Sequence, residues 1–321
     1  MTQLLNGASQ AKPFAPHTEN GAFVRSGSQF RNWVKADGST DFIPEANRYH
    51  LYVSYACPWA HRTLIVRQLK KLQEIITVSV VHPHLGERGW AFSSDYPGSS
   101  VDPINGFRYL HEAYTQSDGS VAGRITVPVL WDKKRSLIVN NESEEIIRMF
   151  NSEFDAFADR SVDLYPVELR PTINEINAFI YDNVNNGVYK TGFATSQAVY
   201  ETAFDALFDA LDTLDARLTQ QRYLLSEGIT EADWRLFTTL VRFDAVYVGH
   251  FKCNLRRISD YPALSNYLKA LYQQPGIAET VRFDHIKQHY YGSHRTINPS
   301  GIVPKGPAID LRSSHDRAKL N

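Results

Sequence analysis
Ser54-Tyr55-Ala56-Cys57-Pro58-Trp59-Ala60 is the stretch from which the rest of the chain is read. Upstream of it, Arg48 to Ser54 alternates Tyr and Leu with polar residues, the pattern of a strand. Downstream, Pro58 suits the first position of a helix, where its missing N–H is no loss. Ala60, Leu64, Ile65, Leu69 and Leu72 then recur at helical spacing. Ile76 to Val81 reads as a second strand. Cys57 therefore falls in the turn from a strand into a helix.

In that turn, free backbone N–H groups and the positive end of the helix dipole point at the sulfur. They are expected to favour the thiolate and lower the thiol pKa from about 8.5. The common redox motif would have a second cysteine at position 60, where Ala60 stands. Without that resolving partner, a mixed disulfide on Cys57 must be released by an outside thiol. The residues thus argue for monothiol chemistry with a small thiol such as glutathione. The competing reading, a buried cysteine acting as a small hydrophobe, fits poorly with a place before Pro at such a turn. Cys253 follows Phe251-Lys252 without this setting and reads as structural.

His82 to Asp118 shows no clear period and carries several Gly and Pro, so it reads as a long functional loop. Ile125 to Trp131 and Leu137 to Val139 then read as a hairpin around Asp132-Lys133-Lys134-Arg135. Ser143 is expected to cap a short helix with Ile146, Ile147 and Phe150 inward. The order is β-α-β, loop, β-β-α. In thioredoxin-like folds the proline of the strand facing the cysteine is cis, so Val127-Pro128 is predicted cis. The N–H and C=O of Val127 would then be open to a peptide-like ligand, as in strand addition. Read locally, Pro128 is equally compatible with an ordinary edge strand. In Asn141-Glu142-Ser143-Glu144, Ser143 and its N–H at a helix N-terminus form a carboxylate nest. Glu142 can accept from a ligand ammonium. The pair suits an α-amino acid head group such as the γ-glutamyl end of glutathione, although alone it would read as helix capping.

Beyond Asn151 the pattern changes. A linker runs to about Tyr165, and four helical stripes follow. They are Leu169, Ile173, Ile176, Ile180; Tyr200, Phe204, Leu207, Leu211, Leu214, Leu218; Trp234, Phe237, Val241, Ala245, Val248; and Leu264, Leu268, Leu271. An α/β half followed by an all-α half implies two domains. The expected organisation is an extended arm over 1–45 with anchors at Phe14, Phe23, Phe30 and Trp33, and an α/β thioredoxin-like domain over 46–152. An all-helical domain over 165–292 and an extended tail over 293–321 complete it.

The 321 residues are 43% hydrophobic and 21% charged, ordinary for a globular chain. A net charge of −1 provides no global field for nucleic acid or an anionic membrane. No apolar run approaches the roughly 20 residues of a spanning helix. Met1 to Pro13 lacks the pattern of a secretory signal and has no arginine. With only two cysteines, a reducing compartment is expected, the cytoplasm. His82-Pro83-His84 has no third and fourth ligand at suitable spacing, so no metal is expected.

With the Cys57 turn, Val127-Pro128 and Glu142-Ser143 in order, the chain resembles the glutathione transferases, thioredoxin-like in their N-terminal domain and helical in their C-terminal one. Thr230-Glu231-Ala232-Asp233 matches that family's capping box. The resemblance is closer to one branch, the glutathionyl-hydroquinone reductases of the Xi class. Its hallmarks stand at Cys57–Arg62, Gly89-Trp90-Ala91-Phe92, Arg124–Trp131, Ser143–Phe150, Asn186–Phe193 and Arg242–Tyr247, and the likeness runs from about Ala22 to about Pro299.

The resemblance implies that Cys57 attacks the sulfur of a glutathionyl-hydroquinone, and that Tyr189 donates and accepts the ring proton. Tyr247 and one of Tyr290 or Tyr291, Tyr290 being preferred, would donate to the thiolate. Trp90, Arg124, Ile125, Thr126, Val127, Glu142 and Ser143 would bind glutathione, the co-substrate. A homodimer is implied as well. Two other readings stay open on the residues. One is a general thiol transferase or dehydroascorbate reductase, which needs no Tyr189 motif. The other is a non-catalytic module on the same fold. A conjugating transferase would carry Tyr or Ser where Cys57 stands.

Overall fold
In a computed structural model of the chain, the described residues are 3–5, 8–10, 16–225 and 228–320. Of the expected arm, residues 1, 2, 6, 7 and 11–15, Phe14 among them, lie outside this set, as does Asn321 at the end of the tail. The chain divides into two compact units. One is built on Ser26–Val162 and Asp284–Ile302, the other on Pro16–Arg25, Asp163–Phe283 and the segment from Val303.

The first unit is α/β. Its elements are β1 (Tyr49–Val53), α1 (Pro58–Leu69), β2 (Thr77–Val80), α2 (Leu110–Ser117), β3 (Val129–Asp132), β4 (Leu137–Asn140) and α3 (Ser143–Arg148). The sheet order is β2-β1-β3-β4. β2 runs parallel to β1, with His50 opposite Thr77 and Val53 opposite Val80. β3 is antiparallel to β1, with Tyr49 opposite Asp132 and Tyr52 opposite Val129. β4 is antiparallel to β3, with a register shift between Leu130 and Trp131.

Three sequence expectations are revised here. The alternation in β1 does not mark a solvent face, because all of its residues are buried. His50 is tolerated inside because its ring nitrogens meet Thr77 Oγ1 at 2.6 Å and Ser79 Oγ at 2.9 Å on the neighbouring strand. Burial, helped by Lys133 and Arg67, pulls its pKa to about 3 and keeps the ring neutral. Second, the strand expected from Ile125 begins only at Val129. Pro128 offers no ladder donor, and Gly123–Arg124 pairs instead with Gln3–Leu5, Arg124 opposite Gln3. Third, the apparent loop from His82 to Asp118 contains α2. That helix buries only Leu110, Ala113 and Tyr114, too few to leave a period in the sequence. Before it, the Asp102 carboxylate organises the loop by accepting from Ile104 N, Asn105 N, Phe107 N and the Tyr52 hydroxyl.

The second unit is helical: α4 (Arg170–Ile180), α5 (Gly187–Gly192), α6 (Gln197–Gln220), α7 (Glu231–Arg242) and α8 (Pro262–Tyr272). The predicted stripes are buried along Ile173, Ile176 and Ile180, along Leu207 to Leu218, and along Leu264, Leu268 and Leu271. Tyr200, Phe204 and Val248, at the stripe ends, are only half-buried. The box at Thr230 forms as predicted, with Thr230 N donating to Asp233 Oδ2 at 2.8 Å. The tail from Val303 is extended up to a 3-10 turn at Arg317–Lys319, and the Arg317 guanidinium donates to Leu218 O at 2.6 Å, in the last turn of α6, and to Arg222 O at 2.8 Å just beyond it. The last helix, α9 (Phe283–Ser293), belongs to the α/β unit from Asp284 onward. Among the described residues no helix is long and apolar enough to cross a membrane.

Candidate active site
Cys57 is the N-cap of α1, extended at φ −78° and ψ 121°, with Pro58 following it in the first turn. Its carbonyl accepts from His61 N at 3.0 Å and its N–H donates to Ser54 O at 3.1 Å. The backbone is thereby held on both sides of a half-exposed side chain. The Sγ–H donates to Val127 O at 3.5 Å. Val127-Pro128 is cis, as the sequence predicts. The sulfur and the backbone expected to pair with a peptide ligand thus meet on one face of the α/β unit. Cys253, by contrast, is fully buried, and burial pushes its thiol far up.

The stretch before Pro128 is fixed from behind. Ile125 and Val127 are buried, 3% and 4% exposed. Between them, Thr126 donates its N–H to the Tyr114 hydroxyl at 3.3 Å, and its carbonyl accepts that hydroxyl's proton at 2.8 Å. Arg124 is half-buried.

At α3 the cap differs from expectation. Glu142, not Ser143, is the N-cap: its backbone is extended, and its Oε1 accepts from Glu144 N at 3.3 Å. Ser143 is the first helical residue and is buried; its hydroxyl donates to Glu142 Oε1 and accepts from Arg62 Nη1, both at 3.4 Å. Arg62 also lies over the Trp59 ring, 4.4 Å from its centroid. The other Glu142 oxygen, Oε2, accepts from the Ser28 hydroxyl at 2.9 Å. Ser28 was not singled out in the sequence, and no local signal marks it.

Trp90 is 6% exposed, its ring stacked on His289 with centroids 4.9 Å apart. His289 Nδ1 lies 3.1 Å from Pro83 O, which holds the imidazole plane. Tyr290 follows on α9, buried, with its ring 5.3 Å from His289 and 5.4 Å from His294. Tyr291 is half-buried. His289 was also missed, since only the fold brings α9 against the Trp90 loop.

In the helical unit, Tyr189 on α5 and Tyr247, in the π-helical turn Phe243–Tyr247 after α7, have ring centroids 6.1 Å apart. Tyr189 also packs on Phe251 at 5.5 Å, and the Arg25 guanidinium lies over its ring at 4.9 Å. Tyr247 is fully buried and stacks on Phe251 at 5.6 Å. The four residues expected to be catalytic are thus divided, Cys57 and Tyr290 in the α/β unit, Tyr189 and Tyr247 in the helical one. Among the described residues, no group of three or more His, Cys, Asp or Glu is arranged to hold a metal.

A thioredoxin-like unit with one cysteine at a helix N-cap, followed by an all-helical unit, defines a protein of the glutathione transferase fold. The glutathione S-transferase N-terminal domain family model matches residues 56–153, and the corresponding C-terminal domain model matches 197–270. The chain belongs to the glutathionyl-hydroquinone reductases, the Xi class of that superfamily. It is 53% identical to glutathionyl-hydroquinone reductase YqjG of Escherichia coli, over 99% of this chain and 98% of that one. A solved Xi-class transferase from Natrialba magadii superposes with a TM-score of 0.93 at 49% identity, covering 100% of this chain and 97% of the other. The glutathione-bound structure of YqjG superposes at 0.88 with 55% identity, over 90% and 96% of the two chains.

Proposed function
We propose that the chain reduces glutathionyl-hydroquinones with glutathione in two steps through Cys57, attack on the thioether sulfur and then thiol–disulfide exchange. The observation that carries this reading is Cys57 at the start of α1 beside the Val127 carbonyl, with Ala60 where a resolving cysteine would stand. The ring carbon bonded to glutathionyl sulfur is first protonated, giving the keto tautomer. Cys57 thiolate then attacks the sulfur. The S–S bond forms, the C–S bond breaks, and its electron pair returns to the ring as a phenolate. That oxygen takes a proton to complete the free hydroquinone. A second glutathione, as thiolate, attacks the Cys57 mixed disulfide, leaving as oxidised glutathione and restoring the Cys57 thiolate. The two electrons gained by the aromatic come from the two thiols that end as a disulfide, so no other reductant is required.

Within this reading, glutathione pairs its backbone with Val127, flanked by Arg124, Ile125 and Thr126. Its γ-glutamyl head lies at Glu142 and the Ser143 N–H, with Trp90 bordering the site. The family resemblance assigns the proton on carbon to Tyr189 and hydrogen bonds to the thiolate to Tyr247 and Tyr290. Acid–base assistance of that type is worth about 10² to 10⁴ in rate, so Tyr189→Phe is expected to lose that much. The proposal extends to a homodimer in a reducing, cytoplasmic setting.

The test mixes pure protein with a glutathionyl-hydroquinone and excess glutathione, and follows hydroquinone and oxidised glutathione. Equal release of both, abolished in Cys57→Ala and cut a hundredfold or more in Tyr189→Phe, is the expected result. Reduction of small disulfides or dehydroascorbate without hydroquinone release would instead make the chain a general thiol transferase.

A further inference from the structure
The Tyr114 hydroxyl, on α2, lies at the centre of a buried polar node. Tyr114 is 1% exposed. Burial holds its phenol above the ordinary pKa, so the proton stays on and can be donated. One phenol offers one proton and two lone pairs, and all three are used. The proton goes to Thr126 O at 2.8 Å, and the lone pairs accept Asn141 Nδ2–H at 3.0 Å and Thr126 N–H at 3.3 Å. Asn141 adds a longer contact from Nδ2 to Thr126 Oγ1 at 3.4 Å, while its Oδ1 accepts from Phe30 N at 3.1 Å. Its main chain is fixed too, with Asn141 N donating to Phe30 O at 3.1 Å and Ser28 Oγ 3.2 Å from Asn141 O, its one proton shared with Glu142 Oε2.

The node joins two places far apart in sequence. Thr126 immediately precedes Val127, and Asn141 immediately precedes Glu142 and Ser143. In neither place does the β3–β4 ladder hold the backbone, because β3 starts at Val129 and β4 ends at Asn140. A side-chain node therefore does here what ladder hydrogen bonds do elsewhere. We propose that Tyr114 and Asn141 are positioning residues that set the distance between the Val127 peptide and the Glu142–Ser143 turn, and so match the site to the length of the glutathionyl group. This rests on the proposed assignment of those two places to glutathione.

The consequence is specific. Both substrates carry the same glutathionyl group, so KM for glutathione and KM for the glutathionyl-hydroquinone should rise together. The Cys57 Sγ–H donates to Val127 O, which is not a member of the node, so kcat at saturation should hold.

The experiment measures both KM values, kcat, and the rate at which iodoacetamide alkylates Cys57 without glutathione. It compares the full-length protein with Tyr114→Phe, Asn141→Asp and Glu142→Gln. In Tyr114→Phe, loss of one buried hydroxyl removes the partner of Thr126 N and Thr126 O and leaves Asn141 Nδ2 only its longer contact to Thr126 Oγ1; both KM values are expected to rise about five- to thirtyfold, with kcat and the alkylation rate within twofold. Asn141→Asp keeps the acceptor for Phe30 N but replaces the donor towards Tyr114, and should shift both KM values in the same direction. If Glu142→Gln raises KM and the two node variants do not, the inference is overturned and the glutathione site stands. A fall in kcat alone in Tyr114→Phe overturns it as well. If Glu142→Gln also leaves both KM values unchanged, the assignment of the site fails, and the inference with it.

Discussion

Removal of the Asp233 carboxylate should be costly to the helical unit. Asp233 is fully buried at the start of α7. Its Oδ1 accepts from Leu224 N at 2.9 Å and the Tyr267 hydroxyl at 2.8 Å, and its Oδ2 from Thr230 N at 2.8 Å and Thr230 Oγ1 at 3.2 Å. Burial still raises its carboxyl pKa despite these donors. In Asp233→Ala the Thr230 hydroxyl can rotate to another acceptor, but Leu224 N, Thr230 N and the Tyr267 hydroxyl are left buried and unanswered. At about 1–3 kcal/mol for each orphaned donor, the gross loss is roughly 3–9 kcal/mol. Relief from burying the carboxylate offsets part of it, so a net loss of about 3–5 kcal/mol is expected, a large share of an ordinary stability of about 5–15 kcal/mol. Urea unfolding followed by circular dichroism measures it. The sharper test is a sign change. Tyr267→Phe removes one donor from the intact box and should cost about 1 kcal/mol in the wild-type background. In Asp233→Ala the same substitution deletes an orphaned hydroxyl and should restore about 1 kcal/mol. A loss below about 1 kcal/mol in Asp233→Ala, or the same sign for Tyr267→Phe in both backgrounds, would refute the reasoning.

Two further outcomes follow from buried titratable groups. His50 in the α/β unit and His250 in the helical unit have pKa values pulled by burial to about 3 and about 4. Both are neutral in the native state, whereas the unfolded imidazole titrates near 6.5. Stability is therefore full above about pH 6.5 and falls as acid protonates the unfolded chain. At pH 5 each histidine removes about 2 kcal/mol. Urea midpoints at pH 8, 6 and 5 check this, with a shallower decline expected in His50→Gln; an unchanged midpoint from pH 8 to 5 would contradict it. For the thiols, Cys57 is half-exposed and Cys253 fully buried. A chromogenic disulfide should titrate one thiol in native protein, two in denaturant and none in native Cys57→Ala. Two fast-reacting native thiols would show that the burial of Cys253 is not what governs its reactivity.

The parts of the fold that were legible in the sequence are those written by local periodicity. The turn at Cys57-Pro58, the leucine stripe of α6 and the box at Thr230 each need only neighbours within one or two turns. α2 was not legible, because three buried residues leave no period and Tyr109 is not a usual cap. Nor was the capping role of Glu142. Ser143 is the residue type that usually caps, but the chain turns into helix one residue earlier and takes the longer carboxylate. Of the candidate site, the place of Cys57 at a strand-to-helix turn was legible from its neighbours, whereas the cis Val127-Pro128 bond followed from the expected thioredoxin-like fold, since Pro128 read locally also suits an ordinary edge strand. His289, Ser28 and Tyr114 were not, since each works on a partner from another part of the chain.

The misses share a physical cause. In several irregular stretches of the α/β unit a side chain satisfies the backbone. Asp102 gathers the N–H groups of the loop before α2, Tyr114 and Asn141 hold Thr126, and Ser28 holds the Asn141 carbonyl and Glu142. Buried polar backbone must be answered somewhere, and where no neighbouring backbone answers it, a side chain does. On the proposed assignment, glutathione meets the Val127 peptide just outside the β3 ladder, where Tyr114 fixes the preceding residue. On this argument, substitutions at such single polar supports should act first on substrate affinity, while those in the periodic stripes should act first on stability.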